Sequence, residues 1–263
     1  MRALSFRRFA LLELLIWASL YPAYLAIRGS SIDDGHTAIR HATDLVNLER
    51  ATGLLHEADV QSAVRPVVDA FSAYYMLGFG PLIATVLIWL GIRHRELYRS
   101  LRTLLFVSLG LAVIGYVFYP TAPPRMVPGL GLADTVGLSS HDTGSVAGIR
   151  FNPYAAMPSM HVGWSVLIGI FGFRAARSRR LKAFFVAHPF LMVLTVTATG
   201  NHYFIDALAG TTASLLAIVL LTALRRIRNR NTGGAEIIPF PTTQSAGRYR
   251  TGDAADSSRR LAS

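Results

Sequence analysis

The sequence places its chemistry-bearing residues in three short segments. In Gly200-Asn201-His202-Tyr203-Phe204-Ile205-Asp206, His202 and Asp206 are four residues apart and fall on one face if a helix begins there. A carboxylate so placed accepts a hydrogen bond from one imidazole nitrogen, fixes the tautomer and leaves the other nitrogen to attack. Pro158-Ser159-Met160-His161 reads as a helix start. Ser159 suits the cap, and the partial positive charge of a first turn suits phosphate. His161 projects from that turn toward an anion bound there. In Tyr119-Pro120-Thr121-Ala122-Pro123-Pro124-Arg125 the prolines end a helix and present Arg125 just beyond it.

Singly, these residues have plainer readings. A histidine at a membrane surface is commonly interfacial, Arg125 could anchor a headgroup, and Tyr119, Tyr154 and Tyr203 read as interfacial aromatics. Asp206 is different, because an ionisable residue one turn inside an apolar segment is expensive and needs a partner, which His202 supplies. Two histidines and a carboxylate also fit a metal site in an enzyme or transporter. A non-catalytic lipid carrier or scaffold is a third class.

The elements that must position these groups are apolar helices. The chain of 263 residues is 52% hydrophobic and only 16% charged, which is a membrane composition. Its formal charge of +11 does not point to nucleic acid, because the arginines fall in short clusters between apolar runs instead of along one face. The absence of cysteine excludes disulfides and thiolate chemistry.

Crossing about 30 Å of hydrocarbon takes about 17 to 25 apolar residues, and six segments approach this: 10–27, 67–91, 103–119, 159–176, 183–199 and 203–224. The first is read as a retained anchor, with Glu13 inside it, because no convincing signal-cleavage site follows. Cationic clusters at Arg2, Arg7 and Arg8, at 93–102, at 174–182 and at 225–230 occupy every second connection or terminus. The positive-inside rule then puts both termini in the cytoplasm and residues 28–66, 120–158 and the Gly200-Asn201 corner outside. All three chemistry-bearing segments fall on that outer side.

The expected architecture is all-α: one six-helix membrane domain over 1–230, followed by a disordered cytosolic tail over 231–263 rich in Gly, Thr, Ser, Arg and Asp. Within 33–60, Ala38, Ala42, Leu45, Leu48 and Leu55 recur at roughly helical spacing. They predict an amphipathic helix that either lies on the outer membrane surface or packs over the bundle. Oligomeric state is unreadable.

Together, the PSMH segment, the HYFID segment about forty residues later and the upstream YPTAPPR resemble the type 2 phosphatidic acid phosphatase (PAP2) superfamily, and within it the inositol phosphorylceramide synthase-like (inositolphosphotransferase) branch. The resemblance implies a plasma-membrane enzyme acting on a lipid phosphate or pyrophosphate through a phosphohistidine. His202 is then the nucleophile, Asp206 its support and His161 the general acid and base. Arg125 and the Ser159 hydroxyl neutralise the phosphate oxygens, with Arg150 as a further cation on the same outer side. No metal or cofactor is implied. The same intermediate serves a phosphotransferase delivering a phosphoryl-headgroup, such as phosphoinositol, to an alcohol. Two departures stand out: the superfamily's motif lysine is Phe118 here, and its Ser-Arg pair ahead of the nucleophile is Thr195-Val196.

Overall fold

The computed structural model describes residues 8–9, 11–18, 35–137 and 154–231, with the backbone of 145–146 and 149–150. The expected tail beyond 231 lies outside the described residues. Among the described residues the regular structure is helical apart from a minimal antiparallel hairpin of β1 (Ser145–Val146) and β2 (Ile149–Arg150) and a single parallel bridge between Thr121 and Ala155.

A helical segment α1 (residues 11–18) leads to α2 (Gly35–Thr52) and α3 (Glu57–Ala63). Next come α4 (Val68–Leu77), α5 (Gly80–Arg93) and α6 (Arg95–Phe118). The chain continues through α7 (Met160–Ala175), α8 (Arg179–Ala198) and α9 (Phe204–Asn231). Prolines mark the breaks. Pro81 sits in the first turn of α5, where its missing N–H is tolerated, and Pro120 disfavours helix at Tyr119, so α6 stops at Phe118.

Among the described residues, α6, α8 and α9 are each long and apolar enough to cross a membrane. A fourth crossing is made if Arg65–Leu77 and Gly80–Arg93, bent by 42°, act as one span. The expected fourth segment appears as α7, whose 16 residues reach about 24 Å. Of the expected first segment only 11–18 are described, tied to α6 by Glu13, which accepts from Arg102 at 2.6 Å and from the Tyr98 hydroxyl at 2.9 Å. Glu13 is therefore paired inside the bundle. Outward-facing side chains such as Phe118, Phe190, Leu208, Val219 and Leu224 are exposed on the helices, as lipid-facing positions require.

In lipid no hydrophobic force drives helices together, so close approach through small residues carries the packing. Helix α7 packs most extensively on α8 and α9. A Cβ added to Gly210 would lie 1.9 Å from the Ser159 carbonyl oxygen, and one on Gly163 would lie 2.5 Å from the Gly210 carbonyl oxygen. The start of α7 and the start of α9 thus touch backbone to backbone. This contact brings His161 and His202 together.

The amphipathic segment forms α2 and packs over the bundle, against Ala122 and Tyr203. Its buried face is Ala38, Ala42, Leu45, Val46 and Glu49. Leu48, expected on that face, is exposed, and Glu49 takes an inward position one residue on. Tyr203 also departs from expectation: it is fully buried, and its hydroxyl donates to the Ala122 carbonyl, so it is a packing residue and not an interfacial one.

Candidate active site

The end of α6, the start of α7, the end of α8 and the start of α9 meet at one end of the bundle, linked by Tyr116 Oη–H to the Pro158 carbonyl at 3.0 Å and Ser159 N–H to the Asp206 carbonyl at 3.0 Å. The Arg-rich ends of α6, α8 and α9 lie at the other, where Arg225 donates to Ser100.

The turn carrying His202 is built by how α8 ends. Gly200 adopts a left-handed conformation, φ +65°. Its N–H donates to the Thr197 carbonyl, while Asn201 and His202 N–H both donate to the Val196 carbonyl. This is a glycine-terminated C-cap, which satisfies the last carbonyls of α8 and reverses the chain within a few residues. A side chain at 200 would also meet Arg125 Cβ at 3.2 Å. Thr195 and Val196, at the superfamily's Ser-Arg positions, are fully buried in α8, where the Thr195 hydroxyl donates to Leu191.

His202 is 5% exposed, and Asp206 is fully buried. His202 Nδ1 lies 2.8 Å from the Ala156 carbonyl oxygen. A carbonyl can only accept, so Nδ1 carries the proton and Nε2 of the neutral ring bears the lone pair. Asp206 Oδ2 is 3.4 Å from the same Nδ1 and also accepts the Tyr203 N–H at 3.1 Å. Asp206 therefore caps α9 from its third position while its carboxyl lies beside the His202 ring. The Ala156 carbonyl is the closer partner. No sequence signal identifies it, because a backbone carbonyl has no residue identity.

His202 Nε2 faces His161 Nδ1 at 3.4 Å. The His161 ring is held by its faces, stacked on Tyr75 with centroids 4.4 Å apart and tilted against Phe79 at 4.1 Å. Tyr75 lies in the last turn of α4 and Phe79 directly precedes α5, so the bend between those helices grips His161. Neither aromatic was singled out by the sequence. Asp206 approaches the Nδ1 edge of His202 and His161 the Nε2 edge, so the three groups do not converge on one point as a two-histidine, one-carboxylate metal site requires.

Arg125 lies in the turn Pro124–Met126. Its side chain is 8% exposed; Nη1 donates to Asn201 Oδ1, and Nε is 3.8 Å from Asp134 Oδ1. Its backbone N–H donates to the Gly200 carbonyl. Burial pulls the guanidinium below its ordinary range, opposed by the Asp134 carboxylate and by Tyr75. Asn201 is in turn fixed by its own amide donating to Thr199 Oγ1 at 2.7 Å. The residue beside His202 thus couples Arg125 to the same turn, a role the sequence reading did not assign to it.

Ser159 is fully buried and caps α7, accepting the Val162 N–H. The backbone of Arg150 lies in β2, but its side chain is outside the described residues. The structure thus gathers His202, Asp206, His161, Ser159 and, through Asn201, Arg125.

A match to the family described as the PAP2 superfamily covers residues 43–220. The chain belongs to the PAP2 superfamily. No curated protein matches it. Among solved structures, the crystal structure of Aquifex aeolicus LpxE is similar, at 18% identity and a TM-score of 0.47, over 64% of this chain and 93% of that one.

Proposed function

We propose that this PAP2 protein is a membrane phosphatase that hydrolyses a lipid phosphate or pyrophosphate through a phosphohistidine on His202. The observation that carries the reading is the His202 ring itself: its Nδ1–H is committed to the Ala156 carbonyl, and its lone-pair nitrogen faces His161. Nε2 attacks phosphorus, the bond from phosphorus to the lipid oxygen breaks, and His161 gives that oxygen its proton. Water then attacks phosphorus, His161 takes the proton, and the N–P bond breaks to release phosphate. Asp206 stabilises the imidazolium formed in between. Arg125 supplies the main positive charge for the phosphate oxygens, Ser159 contributes through the helix start it caps, and Arg150 joins from the outer connection.

The resting geometry adds one requirement. A general acid works at about 2.6–3.2 Å from the oxygen it protonates. A gap of 3.4 Å between the histidine nitrogens cannot also hold an in-line phosphorus and leaving oxygen. The His161 ring therefore shifts on its aromatic bed when substrate enters.

We further propose six spans with both termini in the cytoplasm and the site on the extracytoplasmic face of the plasma membrane; the separation of the site from the arginine clusters supports this orientation. A periplasm-active reporter fused after residue 140 is expected to be active, and one after residue 230 silent; the reverse overturns the orientation. A second reading, transfer of a phosphoryl-headgroup to an alcohol acceptor, is favoured by the two missing superfamily cations, at positions 118 and 196. Lipid profiling with and without the protein separates the two: a phosphatase leaves its phosphorylated lipid to accumulate, whereas loss of a transferase removes a phosphodiester class. Purified His202→Ala protein should turn over no phosphorylated lipid that the parent accepts, and retained turnover would refute the nucleophile assignment.

A further inference from the structure

Behind the His202 turn, the first N–H groups of α9 meet a ring of buried carboxyl groups drawn from three helices. Tyr203 N–H donates to Asp206 Oδ2 at 3.1 Å, Phe204 N–H to Glu57 Oε1 at 3.3 Å and Ile205 N–H to Glu49 Oε1 at 2.8 Å. Glu49 comes from α2 and Glu57 from α3, and each is at most 1% exposed. Their remaining oxygens, both Oε2 atoms, are buried without a donor, and the successive N–H groups of Phe204 and Ile205 hold the two carboxyls side by side. Two ionised carboxylates cannot hydrogen-bond, and leaving both oxygens dry and unpaired is costly. One proton between them satisfies both oxygens at once, and like charges this close favour that outcome.

We propose that Glu49 and Glu57 share one proton and act as a positioning pair that fixes the His202 turn by tying the start of α9 to the outer helices α2 and α3. The inference rests on the proposed role of His202. The pair carries one net negative charge, which suits the positive end of α9, while Asp206 keeps its own charge for the histidine.

The titratable groups facing Glu49 are Glu57 from α3 and, from the turn and α9, Tyr203 and Asp206, with His202 beyond Asp206. Burial, the hydrogen bond to Glu57 and the nearby negative charges push the Glu49 carboxyl up to about 9. The proton is held at neutral pH. Losing it places three negative charges around one helix start, which loosens α2 and α3 from α9 and moves His202 out of register.

The test uses the purified full-length protein with short-chain phosphatidic acid in detergent micelles. In Glu49→Gln the side-chain amide donates to Glu57 while its carbonyl accepts from Ile205, so the pair is rebuilt without a titrating proton. At pH 7 this variant should keep kcat within about threefold of the parent and lose the fall in kcat that the parent shows as pH rises through about 9. Glu49→Ala should lower kcat more than about tenfold and change KM less than about threefold. Glu57→Gln should behave as Glu49→Gln does and covers the case in which the first variant does not fold. Infrared spectroscopy reads the pair without turnover: a buried protonated-carboxyl band at pH 7 should fade as pH rises through about 9 and be missing in either Gln variant. If the parent hydrolyses nothing, the proposed function fails while the band still decides the pair. A band unchanged in both variants, or Gln variants as inactive as Glu49→Ala, overturns the proposal.

Discussion

The two histidines are held by opposite kinds of structure. His202 sits in a polar scaffold of backbone: a glycine-capped turn, the Ala156 carbonyl on one ring nitrogen, and carboxyl groups on the first N–H groups of the following helix. His161 sits in an aromatic clamp, its faces against Tyr75 and Phe79 at a helix bend. The difference matches the work proposed for each. A nucleophile needs one tautomer and one position, which directional hydrogen bonds impose. An acid that gives a proton and takes it back, and shifts to admit phosphorus, is better served by flat, nondirectional contacts.

The largest expected break in this arrangement is Gly210→Ala. A methyl group there has no room beside the Ser159 carbonyl, so the contact that joins both histidine regions opens. Little folded protein should be recovered by size-exclusion chromatography in detergent. His161→Ala should cost about 10² to 10⁴ in kcat on a lipid phosphate, and much less in the first step with an aryl phosphate, whose leaving group needs little protonation. Asn201→Ala frees the Arg125 side chain from the His202 turn. A misplacement on the scale of an ångström costs up to about a hundredfold, so kcat should fall about tenfold to a hundredfold, whereas a wild-type kcat would separate Arg125 from the chemistry. Tyr75→Leu loosens the clamp and should lower kcat by about tenfold while leaving the turn intact. Thr195→Val should alter kcat by less than about twofold, since that hydroxyl serves only the helix carbonyl behind it.

The carboxyl pair adds a stability signature on the His202 side. Glu49 is raised in the folded protein from 4.5 to about 9, so its contribution is complete below about 4.5 and is lost as pH rises toward about 9. The thermal midpoint in detergent should fall across that window in the parent, with the slope reduced in Glu49→Gln.

What the sequence made legible was local. The helical segments over 67–91, 103–119, 159–176, 183–199 and 203–224 appear in the structure, and His202, Asp206 and the Ser159 cap follow from spacings of a few residues. The missed parts join residues far apart in the chain. Glu49 reads as one charge among several on an amphipathic helix, and only the packing of α2 shows that the buried stripe runs through it instead of Leu48. Tyr75 and Phe79 look like ordinary apolar positions in a span until the bend brings them to His161. Asn201 offered the one usable signal, a polar residue in the Gly200-Asn201 corner between two apolar segments.

The central claim is a covalent bond between phosphorus and His202, and acid-labile label can be trapped directly. Full-length His161→Ala protein, mixed with an aryl phosphate and quenched rapidly under alkaline conditions, should carry one phosphoryl group on the peptide containing His202 by mass spectrometry. Turnover of the parent with no phosphorylated His202 in either protein, or with the phosphoryl group on another residue, would contradict the account.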